Sequence, residues 1–352
     1  MKIITIIDLG SNKIAAATAG IDKCGKVSLS ALENLCSRGI KGGEITDIDK
    51  ATEDISSVVD RLRRRGGGGI KNVFVTGKTA DIKMHTSRGM VPLSKIPRKI
   101  TRNDVEKCLK IAAMTRLPSG RAIMQRIVKG FSIDGGSFVV ADPMGLYGVK
   151  LEVEAFMATT TQSKIQNITK CIDRAGLLLN GIYLSGIACA ESVLDEEEKE
   201  KGVLLLDIGD SLTEQLIFKK NTLMSFNVIR NGAGNISDCA AYKGKERIRE
   251  LLKDVLPVLP AENRYFSSVV LTGGGALLDG IIEEAEDILE RPARIGRIKD
   301  SGWNLNLQNS IIHTSTIGLI NHLAKKQRTT QPHGHFINKV FCKVRDIYES
   351  YF

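Results

Sequence analysis

The sequence has no C-x-x-C pair, no apolar run near the ~20 residues a membrane-spanning helix needs, and only 5% aromatic residues. Its seven cysteines (Cys24, Cys36, Cys108, Cys171, Cys189, Cys239, Cys342) are odd in number and scattered. That pattern argues against a disulfide framework and a zinc site, and it fits a reducing cytoplasm. The five histidines show no ligand spacing. Met1 leads directly into apolar Ile3–Ile7 without a basic region or cleavage site, so no secretory signal is expected. The net charge of +10 is dispersed, with clusters only at Arg61–Arg65 and Arg98–Arg102, and no RNP-like or helix-turn-helix pattern accompanies it. We therefore read no nucleic-acid partner, and take the charge as a solvated surface that would also be attracted to anionic lipid.

What is present is an approximate internal duplication. The 352 residues, 42% hydrophobic and 26% charged, suffice for two core-forming units. Ile3–Ala17 reads as a buried strand ending in Asp8-Leu-Gly10, a tight turn, and a returning strand. The same grammar recurs at Val203–Phe218, with Asp207-Ile-Gly209 at the turn. Strands are expected at Val27–Leu32, Val73–Thr76 and Ser268–Thr272. Helices are expected at Asp49–Arg64, from Thr101 behind a Thr101–Asp104 capping box, and at Gln162–Ala175, Ile187–Leu194, Lys245–Leu256, Leu277–Leu289 and Ile311–Lys325.

Two facing Asp-bearing hairpins suit a polyphosphate gripped from both sides. Tight turns present backbone N–H groups to phosphate oxygens, and glycine lets the backbone approach closely. Asp8 and Asp207 would hold Mg²⁺ through its waters, and Lys13 would add a point charge. Gly273-Gly274-Gly275, after a strand and opening a helix, would pass close to an adenosine and its α-phosphate. One such hairpin is an ordinary turn in many proteins; two in duplicated order followed by a strand–GGG–helix are far more specific.

This order of parts resembles the actin-like ATPase superfamily, and the spelling resembles its FtsA family over roughly residues 1–323. Asp8-Leu-Gly-Ser-Asn-Lys13 resembles the first FtsA phosphate motif. Cys36-Ser-Arg-Gly39 with Gly42-Gly43 is similar to the segment after its third strand. Gly77-Lys78 and Ser87-Arg-Gly-Met-Val-Pro-Leu93 resemble the start of its inserted subdomain, Gly186–Leu194 its connecting helix, and Val270–Ala276 its adenosine motif. The resemblance implies an α/β, actin-like (ribonuclease H-like) duplicated two-lobe fold with an FtsA-type inserted subdomain. The implied divisions are a first lobe at 1–77 and 162–201, the insertion at 78–161, a second lobe at 202–325, a linker at 326–335 and a terminal helix at 336–352. It further implies ATP and Mg²⁺ held by Asp8, Gly10, Ser11, Asn12, Lys13, Asp207, Gly209, Thr213, Gly234 and Gly273–Gly275. Glu191 would either orient a water or sit on the surface. The implied protein is a peripheral adaptor on the inner face of the bacterial cell membrane. It would tether FtsZ filaments, recruit other division proteins and self-associate.

Two departures bear on that expectation. Where the family has Asp-Ile-Gly-Gly-Gly-Thr-Thr-Asp, this chain has Asp207-Ile-Gly-Asp210-Ser211-Leu-Thr213-Glu214. A carboxylate beside a polyphosphate is repulsive in a poorly screened cleft, so at most weak ATP hydrolysis is expected. The interval from Asn235 to Ser268 is also too short for the family's second small subdomain, which carries adenosine and FtsZ contacts.

At the C-terminus, Phe336, Ile337, Val340, Phe341, Val344, Ile347, Tyr348, Tyr351 and Phe352 fall on a 3.6-residue period. A helix of that length spans roughly 25 Å, and with a charged opposite face it would lie flat on a bilayer rather than cross it. Docking on the protein's own core is the plainer alternative. Two other functions share the fold: an actin-like assembly protein of a pilus or secretion system, and a small-molecule kinase, for which no sugar-binding signature is present.

Overall fold

The computed structural model describes residues 2–22, 26–114, 116–136, 139–235, 241–259, 266–298, 303 and 305–329. The expected amphipathic helix at 336–352 lies outside them, as does 330–335 of the expected linker.

In chain order the first lobe opens with β1 (Lys2–Leu9), β2 (Lys13–Ile21), β3 (Val27–Cys36), α1 (Ile48–Leu62) and β4 (Asn72–Gly77). The insertion follows as β5 (Lys83–Pro92), α2 (Arg102–Ala113), β6 (Arg121–Ile133) and β7 (Lys150–Thr161). The chain returns through α3 (Gln162–Arg174), β8 (Leu178–Leu184) and α4 (Ser185–Val193). The second lobe has β9 (Val203–Ile208), β10 (Thr213–Lys219), β11 (Thr222–Ile229), α5 (Ala241–Lys253), β12 (Ser268–Thr272), α6 (Ile281–Leu289), β13 (Ala293–Ile295), α7 (Leu307–Ile312) and α8 (Thr314–Thr329).

The chain divides into two compact units. One contains both lobes and runs through residues 1–22, 26–82 and 163–322; the other is essentially Lys83–Gln162.

In the first unit the duplication read from sequence appears as two sheets of the same topology. One has strand order β3-β2-β1-β4-β8, the other β11-β10-β9-β12-β13. In each, three strands form an antiparallel meander, the Asp-bearing strand then pairs in parallel with the fourth strand, and the fourth in parallel with the fifth. The central strands β1 and β9 are covered on both faces, which explains why Ile4–Leu9 and Val203–Ile208 are nearly continuous apolar runs rather than alternating ones. The helical period of α1 puts Ala51, Ile55, Val58, Val59 and Leu62 against Ile7, Ile14, Val73 and Val75. In the second lobe Ile248, Leu251 and Leu252 of α5 and Ile281, Ala285 and Leu289 of α6 cover Leu204, Leu206, Val269 and Leu271.

Boundaries differ from expectation at the glycine turn. Gly274–Leu277 is a single 3-10 turn, and α6 begins only at Ile281, because Gly280 takes a left-handed conformation (φ 79°) that interrupts the helix expected from Leu277. The last helix runs past the expected Lys325 to Thr329. Between Asn235 and Ser268, the described residues hold only α5 and a short 3-10 turn at Leu256–Val258.

In the second unit, β5, β7 and β6 form an antiparallel sheet covered by α2. The Thr101–Asp104 capping box is formed: the Asp104 carboxylate accepts from the Thr101 backbone N–H at 2.9 Å. Arg98 grips the same carboxylate with two bonds of 2.7 Å, and this holds its pKa well below the usual carboxylate range, with Thr101 adding to the effect. Val105, Cys108, Leu109 and Ala112 of α2 pack on Phe131, Leu151 and Val153. Among the described residues, no helix is long and apolar enough to cross a membrane.

Candidate nucleotide cleft

The two duplicated hairpins close with the same turn. Gly10 N–H donates to Lys13 O at 3.0 Å and Gly209 N–H to Leu212 O at 2.9 Å. Both turns open onto one cleft of about 440 Å³, within the usual size range of ligand pockets. The glycine turn reaches the same place. Gly273 has φ 82°, and a Cβ there would lie 2.5 Å from both Asp207 Oδ1 and Ile208 O. No L side chain fits that position, so the turn after β12 passes directly over the second aspartate.

Of the residues singled out in the sequence, Asp8, Gly10, Ser11, Asn12, Lys13, Asp207, Gly209, Gly234 and Gly273–Gly275 all line the cleft. Two do not. Thr213 is fully buried behind the hairpin, its hydroxyl donating to Asn231 O at 2.8 Å. Glu191 lies on α4, half-buried and outside the cleft wall.

Each carboxylate is already engaged. Asp8 is buried at the end of β1, where it accepts from the hydroxyls of Thr76 at 2.8 Å, Ser315 at 3.0 Å and Ser185 at 3.5 Å. Asp207 at the end of β9 forms an ion pair with Lys78 (Nζ to Oδ1 2.8 Å), and the same ammonium donates to Asp207 O at 2.7 Å. The Cys189 thiol faces the other oxygen at 3.5 Å. Asp210, one of the departures from the family pattern, accepts from Ser211 Oγ at 2.7 Å and meets Asn12 Nδ2 of the opposite hairpin at 3.5 Å.

Lys13 does not stand free for a ligand. Its ammonium donates to Ile312 O, at the C-terminal end of α7. Burial lowers its pKa against the pull of Asp8 and Asp207. For Lys78, burial also works against the charge, but Asp207 and Glu214 together hold its pKa above the ordinary value. Glu214 replaces the aspartate that ends the family motif. It is fully buried and accepts from Gly186 N–H at the start of α4. Burial pushes its pKa up to about 8, with Lys78 opposing the rise and Asp207 adding to it. Burial and Asp207 likewise keep the Cys189 thiol protonated.

Sequence reading missed Lys78, Ser185, Cys189 and Ser315. Lys78 and Cys189 fall inside segments already marked as family-like and Ser185 borders one, but nothing in their own spelling assigns them to the cleft. A magnesium ion needs free carboxylate or water-bridged oxygens in near-octahedral array. Here both aspartates are already engaged by protein donors, one of them a cation, and no cluster of three acidic, histidine or cysteine side chains among the described residues could hold a metal. This donor set does not fit Mg²⁺.

Comparison with known proteins agrees with the fold and the order of parts. A family model described as the SHS2 domain inserted in FtsA matches residues 79–159. The cell division protein FtsA of Pseudomonas aeruginosa is 26% identical over 379 aligned positions, covering 93% of this chain and 90% of the relative. That alignment is longer than this chain, so the relative has residues with no counterpart here. FtsA of Borreliella burgdorferi is 25% identical and covers 84% of each chain. Among solved structures, the PilM–PilN type IV pilus biogenesis complex superposes with a TM-score of 0.62 at 13% identity, over 94% of this chain and 99% of that one. The ethanolamine utilization protein EutJ of Carboxydothermus hydrogenoformans gives 0.55 at 13% identity, over 91% and 90%. At that identity these two speak to the fold alone. Sequence relatives along most of the chain and the matched insertion place this cell-division protein in the FtsA family, on the actin-like ATPase two-lobe fold.

Proposed function

We propose that this chain is a peripheral membrane adaptor of the bacterial division apparatus that holds ATP between its two lobes and turns it over slowly or not at all. The observation that carries the nucleotide half is the convergence of three separate turns, at Gly10, Gly209 and Gly273, on one cleft floored by Asp8 and Asp207. Backbone N–H groups at such turns suit phosphate oxygens. The membrane half rests on the apolar stripe of 336–352 and on the family relatives. About five buried side chains at ~1.5–3 kcal/mol each give reversible attachment, helped by lysines on anionic lipid. The FtsZ filament is the proposed partner, with other division proteins recruited to the same site and self-association of the chain as a further element.

The test is co-sedimentation with anionic liposomes, with and without residues 336–352, in the presence and absence of FtsZ filaments. Expected is lipid pelleting of the full chain that the deletion abolishes, with filaments carried down only by the full chain. Equal pelleting of both proteins would remove the tether. Filaments left in the supernatant would remove FtsZ as the partner.

A further inference from the structure

We infer that the cleft binds nucleotide without a divalent cation, the ammonium of Lys78 serving as a built-in counter-charge where a metal would otherwise be required. This rests on the nucleotide reading above and concerns the same cleft. Asp207 is the carboxylate best placed for a metal, at the end of β9 and beneath the Gly273 turn. Lys78 pairs with one oxygen of this carboxylate, Oδ1 at 2.8 Å, and donates to the residue's backbone carbonyl at 2.7 Å, and its side chain is only 16% exposed. The ammonium is thus held at the cleft wall by two contacts.

Its position is at the phosphate turn itself. A Cβ built on Gly209 would stand 3.1 Å from Lys78 Nζ, so the charge lies directly against the second hairpin. On the other side Lys13 lines the same cleft beside the first hairpin. Each hairpin is therefore paired with one lysine. Asp8 is a poor alternative metal ligand, because three hydroxyls already donate to its two oxygens. A divalent ion entering here would have to displace an ammonium from a buried ion pair or sit beside it against like-charge repulsion. A triphosphate meets no such conflict with Lys78. Lysine is a compact point charge with three donors, of which Asp207 uses two, and the remaining one can turn to a phosphate oxygen.

The experiment is equilibrium binding of a fluorescent ATP analogue to the full chain, with EDTA and with excess MgCl₂. Expected are dissociation constants agreeing within about threefold in the two conditions. Lys78→Met removes the counter-charge and frees Asp207. It should weaken binding in EDTA by about tenfold or more, and magnesium should restore much of the loss. Electron paramagnetic resonance of Mn²⁺ gives a second readout: no ATP-dependent Mn²⁺ binding by the wild type, and binding by Lys78→Met. Wild-type binding that improves tenfold or more with magnesium would overturn the inference while leaving the nucleotide reading intact. Binding in neither condition would overturn the nucleotide reading, and this inference with it. The wild-type comparison decides the matter even if the variant fails to fold.

Discussion

Asp210 stands where the family's second phosphate motif has glycine, and its charge should weaken nucleotide binding by a measurable factor. The carboxylate is half-buried at the cleft wall, fixed by Ser211 Oγ at 2.7 Å and facing Asn12 of the opposite hairpin. It also lies 2.4 Å from where a Cβ of Gly234 would stand, so three cleft-lining segments meet around it. A phosphate charge ~5 Å away, at an effective dielectric between that of a protein surface and water, is repelled by roughly 1–3 kcal/mol. That corresponds to roughly 5- to 150-fold in dissociation constant.

Asp210→Asn preserves the shape and removes the charge, whereas Asp210→Gly removes both. Both variants should bind ATP more tightly than the wild type by a factor in that range, measured by calorimetry at low ionic strength. The gap should narrow as salt is raised, because the group is only half-buried and screening reaches it. Tightening by glycine but not by asparagine would show that steric access matters and charge does not. No change in either variant would refute the repulsion argument altogether.

Glu214 makes stability pH-dependent. Its folded pKa of about 8 lies above the ordinary 4.5, so the folded chain keeps a proton that the unfolded chain releases. Its contribution is complete below the unfolded value and is lost as pH rises through about 8. From this group alone, unfolding free energy should fall by up to about 1.4 kcal/mol per pH unit across that window, and Glu214→Gln should flatten the slope in urea melts; an unchanged slope would contradict the assignment. Gly318 on α8 lies so close to α4 that a Cβ would come within 1.8 Å of Ala188 O. Gly318→Ala should cost about 3 kcal/mol or more, a large drop in melting temperature, because the backbone of α4 must move. A melting temperature within a degree or so of wild type would show that the two helices slide apart freely.

The hairpins could be read from the sequence because their signal is local. An apolar run ending in Asp-x-Gly specifies a strand and a turn within ten residues, and its repetition specifies a second lobe. The Thr101 capping box was legible for the same reason, since all its partners lie within three residues. Lys78 was not, because it meets Asp207 across 129 residues of chain and its spelling matches the entrance to the insertion equally well. Ser315 was hidden further still, 307 residues from the carboxylate it serves. The α4–α8 crossing depends on the absence of a side chain at Gly318, and a lone glycine within a helical pattern gives no hint of what it touches. Thr213 was misplaced by one strand position: side chains alternate across a sheet, so the residue that closes the hairpin points into the core and not into the cleft.

The departures in the second hairpin and the lysine beside it bear on the same question, whether the cleft holds nucleotide or hydrolyses it. Hydrolysis needs a base with a free lone pair within reach of a water. The carboxylates lining the cleft are Asp8, Asp207 and Asp210. Three hydroxyls surround the first, Lys78 pairs with the second, and the third is held by Ser211 at the wall. Glu214 is protonated near neutral pH and buried behind the hairpin, and Glu191 lies outside the wall. Each group that could activate water is therefore neutral, paired or misplaced, while the turns that would contact phosphate through backbone N–H groups are all retained. Under the proposed function, nucleotide would act by occupancy, a state persisting until the ligand dissociates, and an adaptor built this way would release its partners on the timescale of dissociation rather than of hydrolysis.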